Sequence, residues 1–160
     1  MKIEQLKRIF DFLEEKGEHR APFLWKFKNN EPLIEEDLNV KGNLNLFQSN
    51  ITSLPEGLKV DGDLDLSISK IMLLPKGLKV GGDLSLANTK ITSLPEGLEV
   101  GGDLNIVYTD IKSLPKGLEV GGDLDLIGTP LADDYDHNDD YEDELREMVY
   151  PGFIHGEILI

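Results

Sequence analysis

The residues best placed to do chemistry in this chain are carboxylates, and they recur at a fixed interval. Asp63, Asp83, Asp103 and Asp123 stand 20 residues apart, with Asn43 one interval before them and Glu157 in the matching position of a later segment. Two residues further on runs a second series: Asn45, Asp65, Ser85, Asn105, Asp125 and Leu159. Carboxylates stacked at such intervals can steer a cationic partner, or they can cap turns through bonds to backbone amides. Catalysis asks for more. The three histidines, His19, His137 and His155, lie far apart in the sequence. No phosphate loop, Ser-His-Asp pattern or metal-spaced cluster accompanies them. Cysteine is absent, which excludes disulfides, thiolate zinc sites and thiol nucleophiles. Asp134, Asp136 and Asn138 match the first ligand spacings of a calcium loop. The match ends at Asp139, where such a loop needs glycine, and at Leu145, where it needs glutamate. The expectation is a protein with no enzymatic activity, no cofactor and no metal.

Charge narrows the partner. With 16 Lys plus Arg against 31 Asp plus Glu, the chain carries a net charge of −15. Residues 1–30 hold 7 basic and 5 acidic side chains, residues 31–130 hold 8 and 16, and residues 131–160 hold 1 and 10. Such a surface repels nucleic acid and anionic membrane and attracts a protein with a basic face. No stretch approaches the roughly 20 apolar residues of a membrane span, and residues 1–17 lack the apolar run of a signal peptide. The expected location is cytoplasmic.

The interval of 20 belongs to a repeat. Leu54-Pro55, Leu74-Pro75, Leu94-Pro95 and Leu114-Pro115 head units of the form L-P-x-G-L-x-V-x-G-D-L-x-L/I-x-x-S/T-x-I/L, and a degenerate copy begins at Ile34. Twenty residues are too few for two packed helices, and the apolar spacing inside each unit is 2. Each D-L-x-L segment is therefore expected as a short strand with its leucines on one face. Stacked units then bury Leu44, Leu64, Leu84, Leu104, Leu124 and Ile158 as one column of a single curved six-stranded sheet. A β-helix with two strands per coil is the alternative, since V-x-G-D-L-x-L has room for both.

These units resemble the 20-residue leucine-rich repeats of bacterial effector proteins, L-P-x-x-L-x-x-L-x-L-x-x-N-x-L. Ser49, Ser69, Thr89, Thr109 and Thr129 stand where that family has asparagine. With V-G-G-D-L in the middle, the units look more like those of small repeat proteins from bacteriophage and bacterial genomes. The resemblance implies hydroxyls bonded to the neighbouring turn, and a recognition surface formed by the residues beside the strand leucines.

The expected fold class is thus an α+β solenoid of leucine-rich type, with short parallel strands and capped ends. Residues 1–33 are read as a helical cap, on the helical spacing of Ile3, Leu6, Ile9, Phe10 and Leu13 followed by the aromatic run at Phe23–Phe27. Residues 34–133 hold five repeats. Residues 134–160 hold a helix over Asp139–Val149 and a final strand in Ile154–Ile160, where His155-Gly156-Glu157-Ile158-Leu159 repeats the pattern. The candidate partner-binding residues are Phe47, Asp63, Asp65, Asp83, Asp103, Asn105, Val107, Tyr108, Asp123, Asp125 and Ile127. They combine an acidic column with apolar groups that face water. The function expected is an interaction module, a bacterial or phage inhibitor docking on a basic site of its target, such as one that binds nucleic acid. A structural repeat protein without a dedicated ligand is the alternative.

Overall fold

The structure is a computed structural model that describes residues 4, 7, 8, 23–135 and 140–160. Two compact units are present, 1–38 and 39–160. In the first, helix α1 (Phe23–Lys28) stacks Phe23 on Phe27, with ring centroids 5.4 Å apart. Lys26 is buried against Asp37 at 3.1 Å, and Asp37 also accepts the Ile34 amide at 2.9 Å. A 3-10 helix spans Glu35–Leu38. Most of the segment from Ile3 to Leu13 that carries the expected helical spacing lies outside the described residues.

The second unit is a parallel β-solenoid. Its strands are β1 (Asn39–Val40), β2 (Leu44–Asn45), β3 (Lys59–Val60), β4 (Leu64–Asp65), β5 (Lys79–Val80), β6 (Leu84–Ser85), β7 (Glu99–Val100), β8 (Leu104–Asn105), β9 (Glu119–Val120), β10 (Leu124–Asp125), β11 (Phe153–Ile154) and β12 (Ile158–Leu159). Odd strands form one six-stranded parallel sheet and even strands another. The D-L-x-L strands stand in the expected register, with Leu44, Leu64, Leu84, Leu104, Leu124 and Ile158 paired in one buried column. The correction is the other sheet. The x-V segment before each turn pairs independently, so a coil carries two strands, as in the β-helix alternative. The cause is local. Residues 61–62 and their equivalents turn the chain after two residues, and the next two residues meet their neighbours along a new direction.

Inward residues fill the coil in columns. Leu58, Leu78, Leu98 and Leu118 are buried, as are Val60, Val80, Val100 and Val120, and Ile71, Ile91 and Ile111. Each such side chain contributes about 1.5–3 kcal/mol on full burial. The column expected to bond between turns does otherwise. Thr89 and Thr109 donate to Leu86 O and Ile106 O, each 2.7 Å away and within the same coil. Ser49 Oγ is buried without a partner among the described residues. A hydroxyl is shorter than an asparagine amide and reaches back only three residues.

After the fifth coil the chain enters helix α2 (Pro130–Tyr135), which sequence patterning did not anticipate, and then helix α3 (Tyr141–Met148). The calcium-like segment 136–139 lies outside the described residues. Helix α3 buries Leu145 and reaches the last coil through two polar side chains. Arg146 donates to Ile154 O and, at 2.7 Å, to Gly156 O. Tyr141 donates to Ile158 O at 3.1 Å. One coil earlier the corresponding carbonyls, Val120 O and Gly122 O, accept the amides of His155 and Gly156. The guanidinium therefore occupies the place that the amides of a seventh coil would take.

Candidate interaction surface

The acidic column is built into the backbone. Asp63 Oδ1 accepts the amide of Asp83 at 3.0 Å, Asp83 that of Asp103 at 2.8 Å, Asp103 that of Asp123 at 2.9 Å, and Asp123 that of Glu157 at 2.8 Å. Asn43 starts the series by accepting the Asp63 amide at 3.0 Å. Each side chain thus secures the next coil rather than its own turn. The glycine preceding each donor amide makes the room. A Cβ on Gly82 or Gly102 would come 2.2 or 2.0 Å from the carboxylate oxygen of the coil before. Glycine-aspartate is one interlocking unit, and the carboxylates stay exposed.

The second series is also occupied. Asn45, Asp65, Asn105 and Asp125 each accept the amide two residues ahead, that of Phe47, Ser67, Val107 or Ile127, at 2.9–3.1 Å. These bonds close the corner that follows the even strands. Ser85 instead bonds Ser67 Oγ at 2.7 Å.

Beyond the corner lies a column whose backbone is left-handed at every step: Gln48, Ile68, Asn88, Tyr108 and Gly128, with φ of 53°, 57°, 57°, 53° and 69°. Asparagine and glycine adopt this region readily, whereas isoleucine and tyrosine do so at a cost. The column nevertheless holds Ile68 and Tyr108, which with Phe47 and Ile127 are 42–60% exposed. The Tyr108 ring lies across Gly128, where a Cβ would sit 2.3 Å from Cδ1, so its outer face meets solvent. Val107 is half-buried beside it.

The structure therefore gathers the candidate residues on one side of the solenoid. Asp63, Asp83, Asp103 and Asp123 form one border, Asp65, Asn105 and Asp125 the middle, and Phe47, Val107, Tyr108 and Ile127 the far border. Compared with known proteins, the chain matches no family model, no curated protein and no solved structure.

Sequence patterning places Ile68 in one column with Tyr108 but leaves it out of the candidate site, and it looks for the backbone bonds of the first series within its own turn rather than to the next coil. The left-handed turn explains the first omission. Alternation along a strand gives no signal for a residue whose side chain is swung out by a positive φ. The border spans about five residues, or roughly 16 Å, and six coils about 5 Å apart, or roughly 24 Å. That face of roughly 400 Å² is half of what one partner contributes to a standard interface, so a partner must also grip the apolar corner. Among the described residues no group of three His, Asp or Glu is arranged to hold a metal, and no helix is long and apolar enough to cross a membrane.

Proposed function

We propose that this chain is a non-enzymatic binding module, a repeat protein of the leucine-rich kind closed by α3 as a cap. It presents the carboxylate ladder and the apolar corner to a protein with a basic surface. The observation that carries this reading is the presence of exposed Ile68 and Tyr108 at φ 57° and 53°, where Asn88 and Gly128 fill the same position at no strain. Backbone strain combined with solvent-facing apolar surface lowers stability twice over, and such sites concentrate where a ligand binds.

The ladder supports the same reading. Asn43 makes the coil-to-coil bond with an amide oxygen, so the bond does not require charge. Four aspartates where asparagine would serve give a line of negative charge that steers a basic partner. Direct nucleic-acid binding is disfavoured by the same charge, which makes nucleic-acid-binding proteins the first partner class to examine. By covering such a surface the chain would act as an inhibitor.

The test is capture from a cell extract on immobilised wild-type chain beside the Tyr108→Ala variant. Basic proteins retained by wild type and lost from the variant support the reading, and added DNA should compete for them. A retained set that Tyr108→Ala leaves unchanged overturns it.

A further inference from the structure

The odd-numbered sheet carries a different face, and its charges are ordered. Its outward column reads Lys59, Lys79, Glu99, Glu119 across β3, β5, β7 and β9. Beside it Gly81, Gly101 and Gly121 leave a strip of bare backbone, the floor of a groove of about 520 Å³ that ends at the stacked rings of Phe153 and His155. Packing accounts for the glycines, since a Cβ on any of them would sit 2.2–2.3 Å from the carbonyl oxygen of the preceding coil. Within the chain Lys79 forms an ion pair with Glu99, but packing does not account for the like-charged neighbours on either side of that pair. Lys59 is paired in register with Lys79, and Glu99 with Glu119. Like charges on adjacent parallel strands oppose folding, and strict alternation would avoid this.

What the order does provide is antisymmetry. A two-fold axis parallel to the strands and midway between β5 and β7 reverses the column onto itself. Lys59 then faces Glu119 of a second copy, and Lys79 faces its Glu99, giving four opposite-charge pairs by symmetry. The corner column three residues earlier, Glu56, Lys76, Glu96 and Lys116, obeys the same rule. Under that axis Glu56 faces Lys116 and Lys76 faces Glu96. The second column alternates strictly, as folding alone also favours, but it shares the first column's centre of antisymmetry, so the face as a whole is self-complementary in the sense an isologous dimer requires. The bare glycine strip lets the two backbones approach closely.

We infer that this face is a homodimer interface, in which two solenoids lie antiparallel with their odd-numbered sheets in contact. It lies apart from the ladder and the apolar corner, and the dimer would carry two copies of that surface. The facing pairs are screened by salt, but so is the repulsion between two chains of net charge −15, so charge reversal rather than the salt trend isolates the pairs.

Sedimentation velocity on the full chain tests this directly, with circular dichroism to verify that each variant is folded. At high protein concentration and physiological salt, wild type should sediment at twice the 17.9 kDa chain mass. K59E/K79E and E99K/E119K should each weaken dimerisation at least about tenfold, because all four facing pairs become like-charged. Their equimolar mixture should dimerise again, since each Glu of the first variant then meets a Lys of the second. A monomeric wild type under these conditions overturns the inference. So does a dimer that either variant leaves intact, or a mixture that fails to reassociate.

Discussion

Replacing Asp83 and Asp103 together by asparagine separates the two roles of the ladder. Each carboxylate accepts one backbone amide from the next coil, at 2.8–2.9 Å, and asparagine can accept the same bond, as Asn43 does at 3.0 Å. Adjacent carboxylates about 4.8 Å apart repel by roughly 0.9 kcal/mol in water, or about 0.5 kcal/mol at physiological salt. The double replacement relieves three neighbouring pairs (63–83, 83–103 and 103–123), a gain of about 1.5 kcal/mol. Against this, two charge-assisted bonds become neutral, at a cost of about 0.5 kcal/mol each for exposed groups. The balance lies within about 1 kcal/mol of zero, a melting shift of no more than about 2–4 °C. Asp83→Ala with Asp103→Ala relieves the same repulsion but removes both bonds, at about 1.5 kcal/mol each, and should lower stability by a net of about 1.5 kcal/mol, or roughly 3–6 °C. Thermal melts by circular dichroism resolve the difference. An asparagine variant that melts as low as the alanine variant would show that folding itself needs the charges, and the argument for steering would lose its basis.

The other predictions concern the coil interlock, the strained corner and the solenoid end. Gly102→Ala should destabilise by several kcal/mol, because the new methyl would sit 2.0 Å from Asp83 Oδ1; adding Asp83→Ser, which withdraws the carboxylate, should recover part of the loss in the same melts. Ile68→Asn should raise stability by about 1 kcal/mol, since it relieves a β-branched residue at φ 57°; a lower melting temperature would show that the isoleucine packs usefully. Arg146→Met should leave Ile154 O and Gly156 O unpaired on an exposed edge. Light scattering should then detect time-dependent association that wild type does not show, and equal scattering would argue against edge protection by α3.

The repeat, its register and the return of the pattern after Pro151 were legible because period 20 and alternation 2 are written into identical residues. The second sheet was harder to read, since Lys59-Val60 and its equivalents offer only two residues, too short for periodicity to declare a strand. Asp63 and its column could be placed but not interpreted: whether a carboxylate caps its own turn or the next coil depends on how closely coils approach, and that distance is set by Gly82 and its equivalents in three dimensions. The exposed apolar groups Phe47, Tyr108 and Ile127 were recognisable as misfits of pattern. Ile68 shared a column with Tyr108, but its strain was hidden, because a positive φ cannot be inferred from an isoleucine. Arg146 stands in the last turn of α3, and its function as a substitute for two backbone amides emerges only from the fold.

The most direct test of the binding claim is the association rate of a captured basic protein with wild type and with the Asp83→Asn, Asp103→Asn chain, measured over a range of salt. Wild type should associate faster at low salt, with the difference shrinking as salt rises and the asparagine chain still fully folded. Equal rates and equal salt dependence for the two chains would contradict the claim that the ladder's charge exists to bring a partner in.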